Sequence, residues 1–182
     1  MQRLFVLLAL GVLSTPVLAQ SAASRPADVG AAPVAVKDTY DMVKDYILRA
    51  ADQMPEADYA FKPTPDVRSF GQLVGHLANA NYSLCGNGLG ERSPSSENIE
   101  QRTTKSALME ALRASFDYCD RAFAQTNGDA AMPSRNFIGG GKATRGTWLT
   151  FHAAHAFEHY GNIVTYMRLK GMVPPSSQRG DR

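Results

Sequence analysis

The sequence predicts an all-α protein, a four-helix bundle with long crossover loops. Four stretches repeat apolar residues at spacings of three and four, which gives each stretch one apolar helix face. No stretch alternates apolar and polar residues convincingly, as a half-buried strand would. The stretches are separated by segments rich in Gly, Pro and Ser, which are typical of loops.

Residues 1–19 have the pattern of a secretory signal peptide. Arg3 supplies a positive charge, an apolar run follows from Leu4 to Leu13, and Ala19 offers a cleavage site. The run is shorter than the roughly 20 apolar residues that span a bilayer. We therefore expect an exported protein, periplasmic or secreted, with no membrane segment after cleavage. Residues 20–34, rich in Ala, Ser and Pro, are expected to be disordered.

The first two helices are predicted from their apolar faces and their end signals. The first runs from about Val36 to Met54, because Pro55 cannot continue a helix. Ser69 suits the N-cap of a second helix, which ends near Cys85 before a polar, glycine-rich connection. The predicted inward faces comprise Val36, Tyr40, Val43, Ile47, Ala50, Met54, Leu73, Leu77, Ala80 and Leu84.

The last two helices follow by the same reasoning. Thr103 or Thr104 begins a third helix, which runs to about Gln125. After a second long loop, a fourth helix is predicted from about Thr147 to Lys170. The inward face of the third helix comprises Leu108, Leu112, Ser115, Cys119, Ala122 and Phe123.

The composition predicts one globular domain, the bundle at residues 35–177, followed by a polar tail at 178–182. Hydrophobic residues make up 44% of the chain and charged residues 20%, which are ordinary values for a folded domain. The 19 Lys and Arg residues are scattered, and the net charge is only +2. Nucleic acid requires a concentrated basic patch, so no nucleic-acid partner is expected. A homodimer is compatible with this composition.

The two cysteines, Cys85 and Cys119, are predicted to form a disulfide. Cysteines of an exported protein are usually paired, and the spacing fits no CxxC redox motif. Each lies on a predicted bundle helix, and the periodicity points Cys119 inward. Two buried free thiols are the alternative.

Histidines on two helices suggest a metal site. His155 and His159 lie four residues apart, so both imidazoles can reach one ion from the inward face of the fourth helix. His76 lies at the edge of the apolar face of the second helix. The alternative is a set of hydrogen-bonded core histidines. Asn162, one turn after His159, either orients a ligand or makes a helix contact.

Two motifs then resemble a known family. Residues 68–77 read RSFGQLVGHL, which resembles the second-helix motif of the DinB-like (YfiT-like) four-helix-bundle family. Residues 155–162 read HAFEHYGN, which is similar to the HxxxH motif of its last helix. Residues 166–177 are similar to an exported branch of that family. The resemblance covers about residues 37–177.

The resemblance implies one divalent transition metal, Zn, Ni, Mn or Fe, held by three histidines. Carried over by position, the ligands are His76, His155 and His159. His152 has no matching role, and it is expected to lie beside the ligands. Characterised members of the family include thiol-dependent transferases and a maleylpyruvate isomerase.

Glu158 completes an HxxEH motif with His155 and His159, which also occurs in inverted zinc peptidases. That class needs an acidic ligand well downstream, and the only later acid is Asp181 in the polar tail. A peptidase is therefore disfavoured. Glu158 is either a solvated residue at the edge of the face or a catalytic acid or base.

These observations predict an exported metal-binding bundle that acts as a metal-dependent hydrolase or transferase. A bound water or thiol would be activated toward a small-molecule substrate. The alternative is a non-enzymatic periplasmic bundle that binds a metal or a small ligand. A structural bundle without a metal is a third hypothesis.

Overall fold

The computed structural model describes residues 31–125, 135–138 and 140–178, and it confirms the four-helix bundle. The predicted signal peptide and the last four residues of the predicted tail lie outside the described residues. Within them, no helix is both long and apolar enough to cross a membrane. The helices are α1 (Ala31–Gln53), α2 (Phe70–Leu89), α3 (Lys105–Ala124) and α4 (Arg145–Leu169), with short 3₁₀ turns at Glu56–Asp58, Ile99–Gln101 and Pro175–Ser177.

Helix α1 begins at Ala31, five residues before the start that periodicity predicts. Residues 31–34, which the sequence placed in a disordered segment, therefore have a helical backbone. Ala is the best helix former, and Pro33 is tolerated because N–H groups of the first turn have no intrahelical partner. The rest of that segment, residues 20–30, lies outside the described part of the chain.

Ser69 is the N-cap of α2, as predicted, and forms a capping box with Gln72, but the helix continues to Leu89, beyond the predicted end. Gly88, which suggested a loop, lies inside the helix. A Cβ on Gly88 would lie 3.0 Å from the side chain of Leu149, so the glycine permits close packing against α4. The helix ends at Gly90, whose φ of 79° suits a residue without a side chain.

Threonine N-caps begin the other two helices. Thr104 accepts a hydrogen bond from the backbone of Ala107 at the start of α3. Thr144 accepts one from Thr147, so α4 begins two residues earlier than predicted. A short hairpin precedes α4 and pairs strand β1 (Arg135–Asn136) with strand β2 (Lys142–Ala143). Its turn uses Gly140 and Gly141, both with positive φ.

The core lies between the four predicted apolar faces. Helix α2 packs against both α3 and α4, and α1 packs mainly against α4. The connection between α2 and α3 folds back over α2 through its 3₁₀ turn at Ile99–Gln101. This return places a loop beside the seam between α2 and α4, where the histidines lie. Fully buried side chains from every helix fill the interior, among them Tyr40, Ile47, Phe70, Leu77, Leu112, Phe116, Phe123, Leu149 and Ile163.

Candidate metal centre

Three imidazoles from two helices converge at the seam between α2 and α4. The Nε2 atom of His159 lies 3.1 Å from Nε2 of His76 and 3.1 Å from Nε2 of His155. The ligand nitrogens of all three rings lie within 4.8 Å of one another. The structure thus brings together the three histidines that the sequence singled out. His159 is buried, whereas His76 and His155 are half-buried, so the cluster faces outward on one side.

Glu100 fixes the ring of His76 from behind. Its Oε1 atom accepts a hydrogen bond from Nδ1 of His76 at 2.9 Å, and its Oε2 atom accepts one from Nε of Arg68 at 2.9 Å. Burial alone would raise the pKa of the Glu100 carboxyl, but the bonds from Arg68 and His76 outweigh it and lower the pKa. A carboxylate on Nδ1 keeps that nitrogen protonated, which leaves the lone pair of Nε2 free for a metal.

Glu100 was missed by sequence reasoning. It lies in the 3₁₀ turn of a connection that was interpreted only as a polar loop. No periodic pattern marks it, because its distance from His76 depends on how the loop folds back. An acidic residue in the connection after His76 was the only available signal.

Gly75 allows this loop to reach the site. A Cβ on Gly75 would lie 2.7 Å from the carbonyl oxygen of Ile99 and 2.8 Å from Cα of Glu100. Both are backbone atoms, so neither could move aside as a flexible side chain does. The absence of a side chain at residue 75 therefore places Glu100 within hydrogen-bonding distance of His76.

Gly75→Ala is expected to lower the free energy of unfolding by about 1–3 kcal/mol, because the loop must move away from α2. The matched control is Gly161→Ala on α4, where a Cβ meets nothing within 4 Å. That variant should be stabilised by about 0.5–1 kcal/mol, as expected when Ala replaces Gly in a helix. Urea unfolding of both variants measures the difference. Equal stability of the two variants would contradict the close contact at Gly75.

A second polar contact orients His159. The side-chain amide of Asn162 lies 3.4 Å from Nδ1 of His159, one turn further along α4. The atom in contact is the amide nitrogen, which can donate a hydrogen bond to Nδ1 of His159 and so fix the orientation of the ring. Of the two roles that the sequence left open for Asn162, the geometry favours orienting a ligand.

A cavity of about 730 Å³ opens beside His159. Its wall includes Asn162 and Tyr166 and charged side chains of both signs: Lys62, Arg68, Asp66 and Glu100. The hydroxyl of Tyr166 donates a hydrogen bond to the backbone carbonyl of Arg68 at 2.6 Å and ties the loop before α2 to α4. The arrangement can therefore bind a small molecule next to a metal ion.

A family model described as the DinB superfamily matches residues 39–163, which is more than half of the chain. The chain belongs to the DinB superfamily. Members of this superfamily often bind a metal, in agreement with the histidine cluster. A comparison with functionally curated proteins gives no match for the chain.

The other two residues considered for the site of this DinB-superfamily protein lie elsewhere. Glu158 is exposed on α4, so its position agrees with the solvated residue of the two alternatives. His152, expected beside the ligands, is instead buried in the core, where its Nε2 atom lies 2.8 Å from Oδ1 of Asn81. The reason is the helical period: His152 lies three residues before His155 and points toward α3 rather than toward the seam.

Cys85 and Cys119 lie at disulfide-bonding distance, as the sequence predicted. Their Cα atoms are 5.2 Å apart, within the normal range for a bridge. Both side chains are fully buried. The pair links α2 to α3. The contact between α2 and α4 is held by side-chain packing and by the histidine cluster.

Burial lowers the pKa of two of the site imidazoles, those of His155 and His159, and so favours their neutral form. Burial is the main cause that lowers the pKa of His159 to about 4, and the charges of His155 and His76 act in the same direction. Burial also lowers the pKa of His155, although the nearby charge of Glu158 opposes that shift. Neutral imidazoles are the form that binds a metal.

Without metal, we expect the protein to lose stability as pH falls from about 6.5 toward about 4. Imidazoles of the unfolded chain take up protons near pH 6.5, whereas His159 in the folded state does so only near pH 4. The unfolded state binds more protons in this window, so the free energy of unfolding decreases as the pH falls. Urea unfolding in the presence of a chelator measures this slope. His159→Asn should have a shallower slope, and an equal slope would contradict the assignment.

Proposed function

We propose that this DinB-superfamily protein binds one divalent transition-metal ion through His76, His155 and His159. We further propose that it acts as a metal-dependent hydrolase or transferase on a small-molecule substrate. The observation that carries the proposal is the convergence of three Nε2 atoms next to a cavity of about 730 Å³. A cluster built only for packing needs neither the shared direction of the nitrogens nor the adjacent cavity.

The residues present fit such an ion. Bonds of about 2.0–2.1 Å to zinc in a tetrahedral site place two nitrogens roughly 3.3 Å apart, close to the 3.1 Å between the Nε2 atoms. Glu100 accepts a hydrogen bond from the opposite nitrogen of His76, as carboxylate partners of metal-bound histidines usually do, and the Asn162 amide contacts the opposite nitrogen of His159. Zn, Ni, Mn and Fe are all compatible with three imidazoles.

The chemistry follows from the ion and from the groups around it. When bound, the ion supplies Lewis acidity that activates a water or a small thiol near neutral pH. Glu100 keeps the proton on Nδ1 of His76, and the Asn162 amide restrains the ring of His159 through Nδ1. Lys62 and Arg68 in the cavity wall can hold a polar or negatively charged group of the substrate.

An enzyme is favoured over a non-enzymatic metal-binding bundle. A closed site would require a fourth protein ligand, and the two remaining candidates on α4 are Glu158 and His152. Glu158 is exposed and His152 lies in the core, so neither joins the three histidines. Three ligands beside a cavity correspond to a catalytic site, which keeps a coordination position open.

Elemental analysis of protein purified without a histidine tag tests the metal, and an activity panel tests the enzyme. The panel comprises hydrolysis of esters, amides and phosphoesters, and transfer of a small thiol, each with and without chelator. One ion per chain and a chelator-sensitive turnover are expected. A bound ion without turnover would favour the non-enzymatic bundle, and a protein that binds no divalent metal would overturn both parts.

Glu100→Gln is expected to weaken metal affinity by about 10–100-fold, because the amide holds the Nδ1 proton of His76 less firmly than a carboxylate does. The control is Glu97→Gln in the same loop, whose carboxylate is paired with Arg102 rather than with a histidine. Competition with a chromophoric chelator measures both affinities. Equal affinities would show that Glu100 does not support the site.

We also propose export, supported by the leader pattern of residues 1–19 and by the buried cysteine pair. Mass measurement of the protein from the periplasm of a bacterial host tests it. Cleavage after Ala19 is expected, and an intact leader on protein that stays in the cytoplasm would contradict it.

A further inference from the structure

A second group of metal-binding side chains lies in the core, apart from the candidate metal centre. Cys85 on α2, Cys119 on α3 and His152 on α4 have donor atoms within 4.8 Å of one another. The Nε2 atom of His152 lies 3.5 Å from Sγ of Cys119. All three side chains are buried, with exposed fractions of 0%, 0% and 1%.

Asn81 adds a fourth donor to this group. Its Oδ1 atom lies 2.8 Å from Nε2 of His152, and it precedes Cys85 by one helical turn. The Asn81 amide donates to the hydroxyl of Ser115 at 3.0 Å, and that hydroxyl donates to the carbonyl of Leu112 at 2.8 Å. These bonds fix the amide so that its oxygen faces His152. The two sulfurs and the Nε2 atom of His152 thus meet from three helices, and Oδ1 of Asn81 lies beside that nitrogen.

The imidazole of His152 is costly where it lies. Its Nδ1 atom is buried without a hydrogen-bond partner among the described residues. The ring packs 5.6 Å from the rings of both Tyr40 and Phe123. Burial lowers the pKa of His152 to about 3, so the ring is neutral; with the disulfide intact, its Nε2–H donates to Oδ1 of Asn81 and its lone pair is on Nδ1. Transfer of the Nε2 proton to Nδ1 would free the lone pair of Nε2 for a metal ion.

We propose that Cys85, Cys119, His152 and Asn81 bind a zinc ion when the disulfide is reduced. A dithiol or phosphine reductant supplies two electrons, is itself oxidised, and leaves two thiols in place of the S–S bond. Each thiol then releases one proton to solvent as its sulfur binds Zn²⁺. The disulfide and the zinc site use the same sulfurs, so the two states exclude each other.

Charge and ligand type both favour zinc. Two thiolates cancel the charge of Zn²⁺, so the filled site is neutral and suits an apolar core. Sulfur and imidazole ligands in a four-coordinate set are those of structural zinc sites. No side chain of the candidate metal centre is needed, so this proposal is independent of the proposed function.

The experiment uses His155→Ala/His159→Ala protein, in which the candidate metal centre is disabled. The protein is reduced without oxygen, equilibrated with zinc and desalted, and its zinc content and circular dichroism are measured. The reduced protein is expected to bind one zinc per chain while it remains helical, and the oxidised protein none. Cobalt in place of zinc should give an absorption band from sulfur-to-metal charge transfer.

Two further variants in the same background serve as controls. Cys85→Ala should lose the reduction-dependent zinc. His152→Leu, which suits the apolar surroundings, should remain folded and bind zinc at least about tenfold more weakly. If reduction unfolds the protein, zinc should restore its helical signal. A helical, reduced protein without zinc, uptake that survives Cys85→Ala or is unaffected by His152→Leu, or zinc bound to a chain that stays unfolded would each overturn the proposal.

Discussion

Replacing any one of His76, His155 and His159 by Ala is expected to abolish stoichiometric binding of a divalent metal at micromolar protein. The ligand nitrogens of the three rings lie close enough to bind one ion, so each contributes about a third of the protein ligands of that ion. Removing the hydrogen-bond partner of a metal-binding histidine typically lowers metal affinity by about 10–100-fold. Removing a ligand itself should therefore lower it by more than about 100-fold. Elemental analysis after desalting, and a metal-induced rise in melting temperature, measure the effect.

Glu158→Gln is the matched control, because Glu158 lies on α4 next to a ligand but is exposed. It should bind the ion as the parent does, and its melting temperature should rise with added metal. His152→Leu should likewise retain the ion when the disulfide is intact. If all these variants bind metal equally, or if the parent does not respond to metal or chelator, the histidines only pack.

Reduction of the Cys85–Cys119 pair in the absence of metal is expected to lower the free energy of unfolding by about 3–4 kcal/mol. The bridge joins residues 34 apart, and on the chain-entropy model a closed loop of this length restricts the unfolded state by that amount. Urea unfolding with and without a reductant measures the loss.

The double variant Cys85→Ala/Cys119→Ala is the control, because its stability should not respond to the reductant. Mass measurement after alkylation of the unreduced, unfolded parent tests the bridge directly. No alkylated cysteine is expected, and two would show that the pair is a pair of free thiols.

The sequence was sufficient to predict the fold, because each helix buries one face whose apolar spacing is visible in the chain. The ends of the helices were less predictable where they depend on packing against other helices. Gly86 and Gly88 are poor helix formers, yet α2 continues through both. Close neighbours leave little room for a Cβ at either position, so packing against the other helices explains why glycine stands there. That contact depends on the tertiary packing and leaves no periodic signal.

Some residues of the candidate metal centre could likewise be predicted from the sequence, whereas others depend on the tertiary packing. His155 and His159 are neighbours on one helix, so their spacing indicates a shared ligand, and a motif on α2 added His76. Glu100 meets His76 only because Gly75 lets a loop cross α2 at close range. His152 was assigned wrongly because three residues along a helix is also a spacing of neighbours, and only the packing of α3 shows which way it points.

Helix α1 takes part in neither the disulfide nor the proposed metal centre. The cysteine pair ties α2 to α3, and the proposed ion would tie α2 to α4. Helix α1 is held by packing, by the Tyr40 hydroxyl that donates to Asp120 at 2.7 Å, and by the ion pair of Lys44 with the same carboxylate. Detachment of α1 therefore breaks no cross-link, and its amide hydrogens should exchange with solvent before those of α2. Proteolysis and aggregation of this domain would then begin from a state in which α1 has peeled away and the remaining three helices expose their apolar faces.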